Sequence, residues 1–263
     1  MPYAQRDGVD LFYEQAGAGE PELVFVPGWC CGVTSFEPQV RHFRERHAVT
    51  AVELRGFARS SVADDGYDVP TLADDVAAVC AAAGIQRAVV CGHSLGGMVA
   101  IELGYRYPGL ARAVIALDPG PIDPLPRSRR IYEAFAVQLA GPRAEDARRA
   151  WVEDGVVGPT ADDAVRTHIV EMMCAAPLAA ARGVIESITS WNGVGALALC
   201  EAPTLVVLSG TVGSNSPDRL RAINPAVEIG VTVGSGHCHQ LEVPEQVNAM
   251  IERFLALASI ASK

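Results

Sequence analysis

The chain of 263 residues is 49% hydrophobic and 20% charged, which provides ample material for a buried core and argues against disorder. A net charge of -10 and a pI near 5.1 give a surface that repels nucleic acid and anionic membranes, so neither is expected as a partner. Met1 to Asp7 has no apolar stretch behind Arg6, and no later apolar run is long enough to span a bilayer, which leaves a cytoplasmic protein acting on a small molecule as the expectation, with the oligomeric state open.

Short, continuous, β-branched segments alternate with longer helical patterns, as in a mostly parallel sheet with crossover helices. Leu11 to Gln15 reads as an early hairpin strand. Leu23 to Val26, Ala48 to Glu53, Arg87 to Cys91 and Ala113 to Leu117 follow as buried strands. Thr71 to Ala83 reads as a helix with Thr71 at its N-cap and Gly84 beyond its end, and Leu95 to Tyr107 as a helix stopped by Pro108. After Leu117 the strand rhythm lapses through Pro119, Pro121, Pro124 and Pro126 into a helical, irregular stretch. Strands return at Thr204 to Leu208 and Val227 to Val233, before a closing helix from Pro244 to Leu257. The division is therefore a core of residues 1–119 and 196–263 around a helical insertion of residues 120–195.

Gly92-His93-Ser94-Leu95-Gly96 fits G-x-S-x-G between a strand and a helix. On such an elbow the serine backbone is strained and residues two positions away must be small, which Gly92 and Gly96 satisfy. The alternative is a chance pattern that merely caps the helix. A serine hydroxyl needs a base to take its proton, and histidine suits that task. Seven cysteines, Cys30, Cys31, Cys80, Cys91, Cys174, Cys200 and Cys238, show no C-x-x-C pair and read as reduced packing thiols. No metal or other cofactor is called for by this chemistry.

The elbow resembles that of the α/β-hydrolase superfamily, in its lid-bearing branch of esterases, lactonases, carbon-carbon bond hydrolases and haloalkane dehalogenases. Pro27-Gly28-Trp29, Glu53 to Ser60, and Gly234-Ser235-Gly236-His237 extend the resemblance over nearly the whole chain. It implies a doubly wound α/β fold with residues 120–195 as a lid. It implies His237 as base, with His239 as rival, and an oxyanion hole formed by the main-chain amides of Leu95 and Trp29, with Cys30 as a substitute donor. Members commonly carry histidine where this chain has Pro27. The usual place for the acid, after Thr204 to Leu208, holds none. Asp118, at the end of the strand Ala113 to Leu117, is the stronger candidate because certain haloalkane dehalogenases carry their acid there. Asp218 and Asp123 are the alternatives, and Asp118 is otherwise a turn former before Pro119.

The residues expected around a substrate are Trp29, Cys30, His93, Tyr132, Phe135, Trp151, Met172, Trp191 and Cys238; those of the insertion serve equally as packing between lid and core. Arg127, Arg129 and Arg130 read as a solvated face rather than a carboxylate site, and Arg55 as a structural tie between loops. The expected function is cofactor-free hydrolysis of an ester or lactone of a small to medium apolar substrate. Carbon-carbon bond cleavage, a non-hydrolytic biosynthetic step, and an inactive binding protein are the other readings. An aspartate nucleophile, as in haloalkane dehalogenases and epoxide hydrolases, is disfavoured by Ser94.

Overall fold

The computed structural model describes residues 2–210 and 214–257. Eight strands, β1 (Tyr3–Arg6), β2 (Val9–Ala16), β3 (Leu23–Val26), β4 (Val49–Val52), β5 (Ala88–His93), β6 (Ala111–Leu117), β7 (Thr204–Leu208) and β8 (Glu228–Val231), form one sheet in the order β1-β2-β4-β3-β5-β6-β7-β8. From β4 to β8 the strands run parallel, while β2 is antiparallel to both neighbours. β1 has no counterpart in the expected elements. Its cue is the pair Asp7-Gly8, both at positive φ, a turn that twists two strands into a hairpin. The expected strand Val227 to Val233 shortens to β8, a partly exposed edge.

The helices are α1 (Glu37–Phe43), α2 (Val69–Ala82), α3 (Leu95–Arg106), α4 (Pro126–Leu139), α5 (Ala144–Gly155), α6 (Asp163–Ala175), α7 (Leu178–Ser187), α8 (Gly193–Leu199), α9 (Pro217–Ile223), α10 (His239–Glu242) and α11 (Pro244–Leu257). α2 begins earlier than expected. Asp68 is its N-cap and its carboxylate accepts from the Thr71 amide at 3.0 Å; Pro70 in the first turn needs no amide partner. Thr71 is therefore inside the helix.

The sheet buries both faces. Phe25 packs on Phe36 and Phe43 on the side covered by α1 and α11, whereas α2, α3 and the insertion cover the other. Among the described residues no single helix is long and apolar enough to cross a membrane, although α6 and the segment from α7 to Ser190 pass that test as a pair bent by 91°. Arg55 spans Asp75 in two hydrogen bonds of 2.6 and 2.7 Å, with both side chains buried, and so ties the loop after β4 to α2. α4 to α8 all lie between β6 and β7; α8 runs through residues 195 and 196 and lies against α3.

Strand order places the site. β3 leads to β4 on one side, and after β4 the chain crosses β3 to β5 and continues outward through β6, β7 and β8. The direction reverses between β3 and β5, so the loops at their C-terminal ends diverge and leave a crevice.

Candidate active site

β5 and β6 pair in parallel register to their last residues, His93 opposite Leu117. The next residues, Ser94 and Asp118, therefore leave the sheet side by side, each anchored by its amide: Ser94 to the Leu117 carbonyl at 2.9 Å, Asp118 to that of Val207 at 2.7 Å. Both take positive φ, 53° and 39° respectively, which is unusual for residues bearing a β-carbon and marks a locally strained chain. At Ser94 the strain is tolerated because a β-carbon is missing where it would collide: one on Gly92 would overlap the Gly96 carbonyl, and one on Gly96 would overlap that of Val26.

His237 reaches Ser94 from the turn beyond β8. Its Nδ1 lies 2.6 Å from Asp118 Oδ2 and its Nε2 lies 2.8 Å from Ser94 Oγ. A carboxylate on Nδ1 fixes the proton there and leaves Nε2 to accept from the serine hydroxyl. The other Asp118 oxygen accepts from the Ser209 amide at 3.1 Å. Burial alone would raise the Asp118 carboxyl. The His237 hydrogen bond and charge, His239 and the Ser209 amide more than reverse that, bringing it down to about 2. Asp118 is thus an anion at neutral pH.

The rivals are elsewhere. Asp218 is an exposed first-turn residue of α9 and Asp123 pairs with Arg219. His239 is buried with Nδ1 3.2 Å from Thr232 Oγ1, and its burial lowers it to about 4.

The other side of the crevice is the turn after β3. Cys30 holds a left-handed φ of 60° and the Cys31 amide closes on the Gly28 carbonyl at 3.2 Å. The Trp29 indole donates to the Ala181 carbonyl in α7 at 2.8 Å, and Glu53 accepts from the Val33 amide at 3.3 Å. The turn is fixed at both ends. Among the described residues no protein acceptor takes the main-chain N–H of Trp29 or of Leu95, so both remain available as donors.

A cavity of about 140 Å³ lies over Ser94. Of the residues expected around a substrate, Trp29, His93, Tyr132 and Trp151 line it. Cys30, Phe135, Met172, Trp191 and Cys238 do not. The left-handed turn sends Cys30 behind the loop and Cys31 into the cavity, and Cys238 is fully buried at the start of α10. Phe135 stands behind Trp151, and Met172 faces Thr34 on the far side of α6 while its neighbour Met173 faces inward. The Trp191 indole donates to Glu102 at 2.7 Å, away from Ser94. Beside Gly28, Ser94, Asp118 and His237, the lining also includes Gly155, Val156, Ile185, Ile188 and Ser214, none of them expected there. Their signal is faint. Ile185 and Ile188 share a helical face, but nothing in the sequence says that face looks at Ser94 rather than the core. Burial pushes the Cys31 thiol up to about 12 against the opposing pull of Gly28, so it stays protonated beside the serine. None of Arg127, Arg129 and Arg130 lines the cavity; Arg129 donates to the Thr189 carbonyl at 2.7 Å.

A profile of the alpha/beta hydrolase family matches residues 23–250. The chain belongs to this family. Among relatives of this alpha/beta hydrolase, a bifunctional esterase/perhydrolase of Acinetobacter calcoaceticus is 40% identical over 121 residues, 44% of each chain. The matched stretch thus spans less than half the length of that relative. Solved structures match almost end to end. An enol-lactonase of Burkholderia xenovorans LB400 superposes with a TM-score of 0.87 over 97% of this chain and 100% of that one, at 20% identity. An N-acyl homoserine lactone degrading enzyme does so at 0.80 over 96% and 100%, at 28% identity.

Proposed function

We propose that the protein is a serine hydrolase that cleaves an ester or lactone of a small to medium apolar substrate through an acyl-Ser94 intermediate. The observation that carries this reading is the continuous hydrogen-bonded chain Ser94, His237, Asp118 at 2.8 and 2.6 Å. As Ser94 Oγ attacks the substrate carbonyl, His237 Nε2 takes its proton and Asp118 stabilises the imidazolium so formed. The negative charge on the carbonyl oxygen falls to the amides of Leu95 and Trp29. Collapse expels the alcohol, which leaves with the proton from His237. Water, activated by the same imidazole, then releases the acid and restores the serine.

The lining supports an uncharged substrate. Tyr132, Trp151, Val156, Met173, Ile185 and Ile188 supply apolar surface, and among the described residues no lysine or arginine lines the cavity to meet a carboxylate. Residues 120–195 act in this reading as the lid that covers the reacting centre, within a soluble cytoplasmic protein. The relative named as an esterase and perhydrolase favours a second outcome for the same intermediate, in which hydrogen peroxide instead of water takes the acyl group and leaves as a peracid.

The test is intact-protein mass spectrometry after brief exposure to a set of acyl esters. A transient adduct localised to Ser94, absent from Ser94→Ala, is the expected result. Ser94→Ala lowers kcat by about a millionfold. Turnover by Ser94→Ala at the parent rate would overturn the proposal, and activity toward a β-diketone but not toward esters would move it to carbon-carbon bond cleavage.

A further inference from the structure

Sites that enclose a whole small-molecule ligand run to roughly 300–1,000 Å³, whereas the cavity at Ser94 holds about 140 Å³. A substrate of ordinary size therefore reacts with only one end inside. Room for the remainder lies in a neighbouring space that shares one lining residue with it. An outward-facing groove of about 640 Å³ runs between α4 and α5, and Trp151 lines both that groove and the Ser94 cavity. The half-buried Trp151 is the residue that the two spaces have in common.

The groove has a defined chemistry. Pro142, Ala147, Ala150 and the indole give it an apolar lining, and its charges, Arg143 against Asp146 and Asp154, leave no positive excess to hold an anion. The indole lies flat against Phe135, ring centroids 4.1 Å apart and 12° from parallel, with Tyr132 at 5.9 Å on the cavity side. Turning it aside disrupts one stacked pair, a modest loss against burial of an alkyl chain along the groove.

We propose that the α4–α5 groove binds the distal part of an elongated, uncharged, largely apolar substrate whose reacting end enters the Ser94 cavity past Trp151. Trp151 then sets the chain length the enzyme accepts. This rests on the hydrolase reading above for its kinetic consequences, but not for binding.

The experiment compares p-nitrophenyl octanoate with p-nitrophenyl acetate, reading the ratio of their kcat/KM values. Ala150→Trp fills the groove and lowers that ratio by about fivefold or more, and Trp151→Ala raises it by a similar factor. Glu153→Trp adds the same bulk to α5 away from the groove and leaves the ratio as in the parent protein. Ratios within twofold of the parent in both groove variants, or a Glu153→Trp effect equal to that of Ala150→Trp, would overturn the proposal. Calorimetric binding of 2-decanone to Ser94→Ala separates this inference from the hydrolase reading. Its Kd rises about fivefold or more when Ala150→Trp is added. An unaltered Kd refutes the groove even if esters are cleaved, and an altered one sustains it even if they are not.

Discussion

His93 donates from Nε2 to the main-chain carbonyl of His237 at 2.9 Å, so the residue before Ser94 holds the backbone of the imidazole that Ser94 bonds. The two rings lie 4.7 Å apart, and His93 is kept neutral by burial first and then by the adjacent His237 and His239. It acts as a strut across the crevice.

Replacing His93 by leucine frees the His237 carbonyl and lets the imidazole drift, with an expected loss of about a hundredfold in kcat. His93→Gln places an amide donor near the same point and restores a large part of it. Steady-state kinetics of the pair on a short ester is the check. Equal loss in both variants would assign His93 to packing alone.

Asp118→Asn removes the anion that fixes the His237 tautomer, and kcat falls by about ten-thousandfold. Asp218→Asn, on the exposed face of α9, leaves kcat as it was. The reverse pattern would transfer the acid's role to Asp218.

Asp118 and His239 are among the groups that tie stability to pH. Asp118 is lowered from 3.8 to about 2 in the folded chain, so its contribution is complete above pH 3.8 and disappears as pH falls through 2. His239, lowered from 6.5 to about 4, resists protonation when folded, and the stability it confers is complete above pH 6.5 and disappears as pH falls through 4. Tm therefore declines from pH 6.5 downward, and the first part of that decline is shallower in His239→Gln. Calorimetric melts between pH 7 and 4 give the comparison; superimposable curves would remove His239 from the account.

Asp75→Ala strands Arg55 and deprives Arg6 of a 3.0 Å contact. An unpaired buried charge costs about 3–5 kcal/mol. The expected signature is a large fall in denaturation midpoint, with kcat per folded molecule close to that of the parent protein.

Much of this was legible in the sequence. G-x-S-x-G between a strand and a helix locates the elbow because its glycines answer a steric demand that few other residues meet. The end of β6 was open to the same kind of reading, since parallel register puts the residues after adjacent strands side by side. The cavity lining was not legible in this way. Met172 and Met173 are equally apolar, and their positions around α6 separate a surface contact from a wall of the site. Likewise the left-handed turn at Cys30 decides which of two adjacent thiols points at the serine. Such choices depend on how helices and loops are aimed, which composition and periodicity do not encode.

Because Asp118 leaves from β6, the described residues of the loop after β7 reach it through the Ser209 amide, a group every residue except proline possesses. The proposed reaction asks nothing of the Ser209 side chain, while Ser214 from the same loop borders the cavity. Under the proposed reaction, exchanges at Ser214 would retune what is bound while leaving the contacts of Ser94, His237 and Asp118 in place, which makes this position a natural place for selectivity to diverge while the reaction is kept.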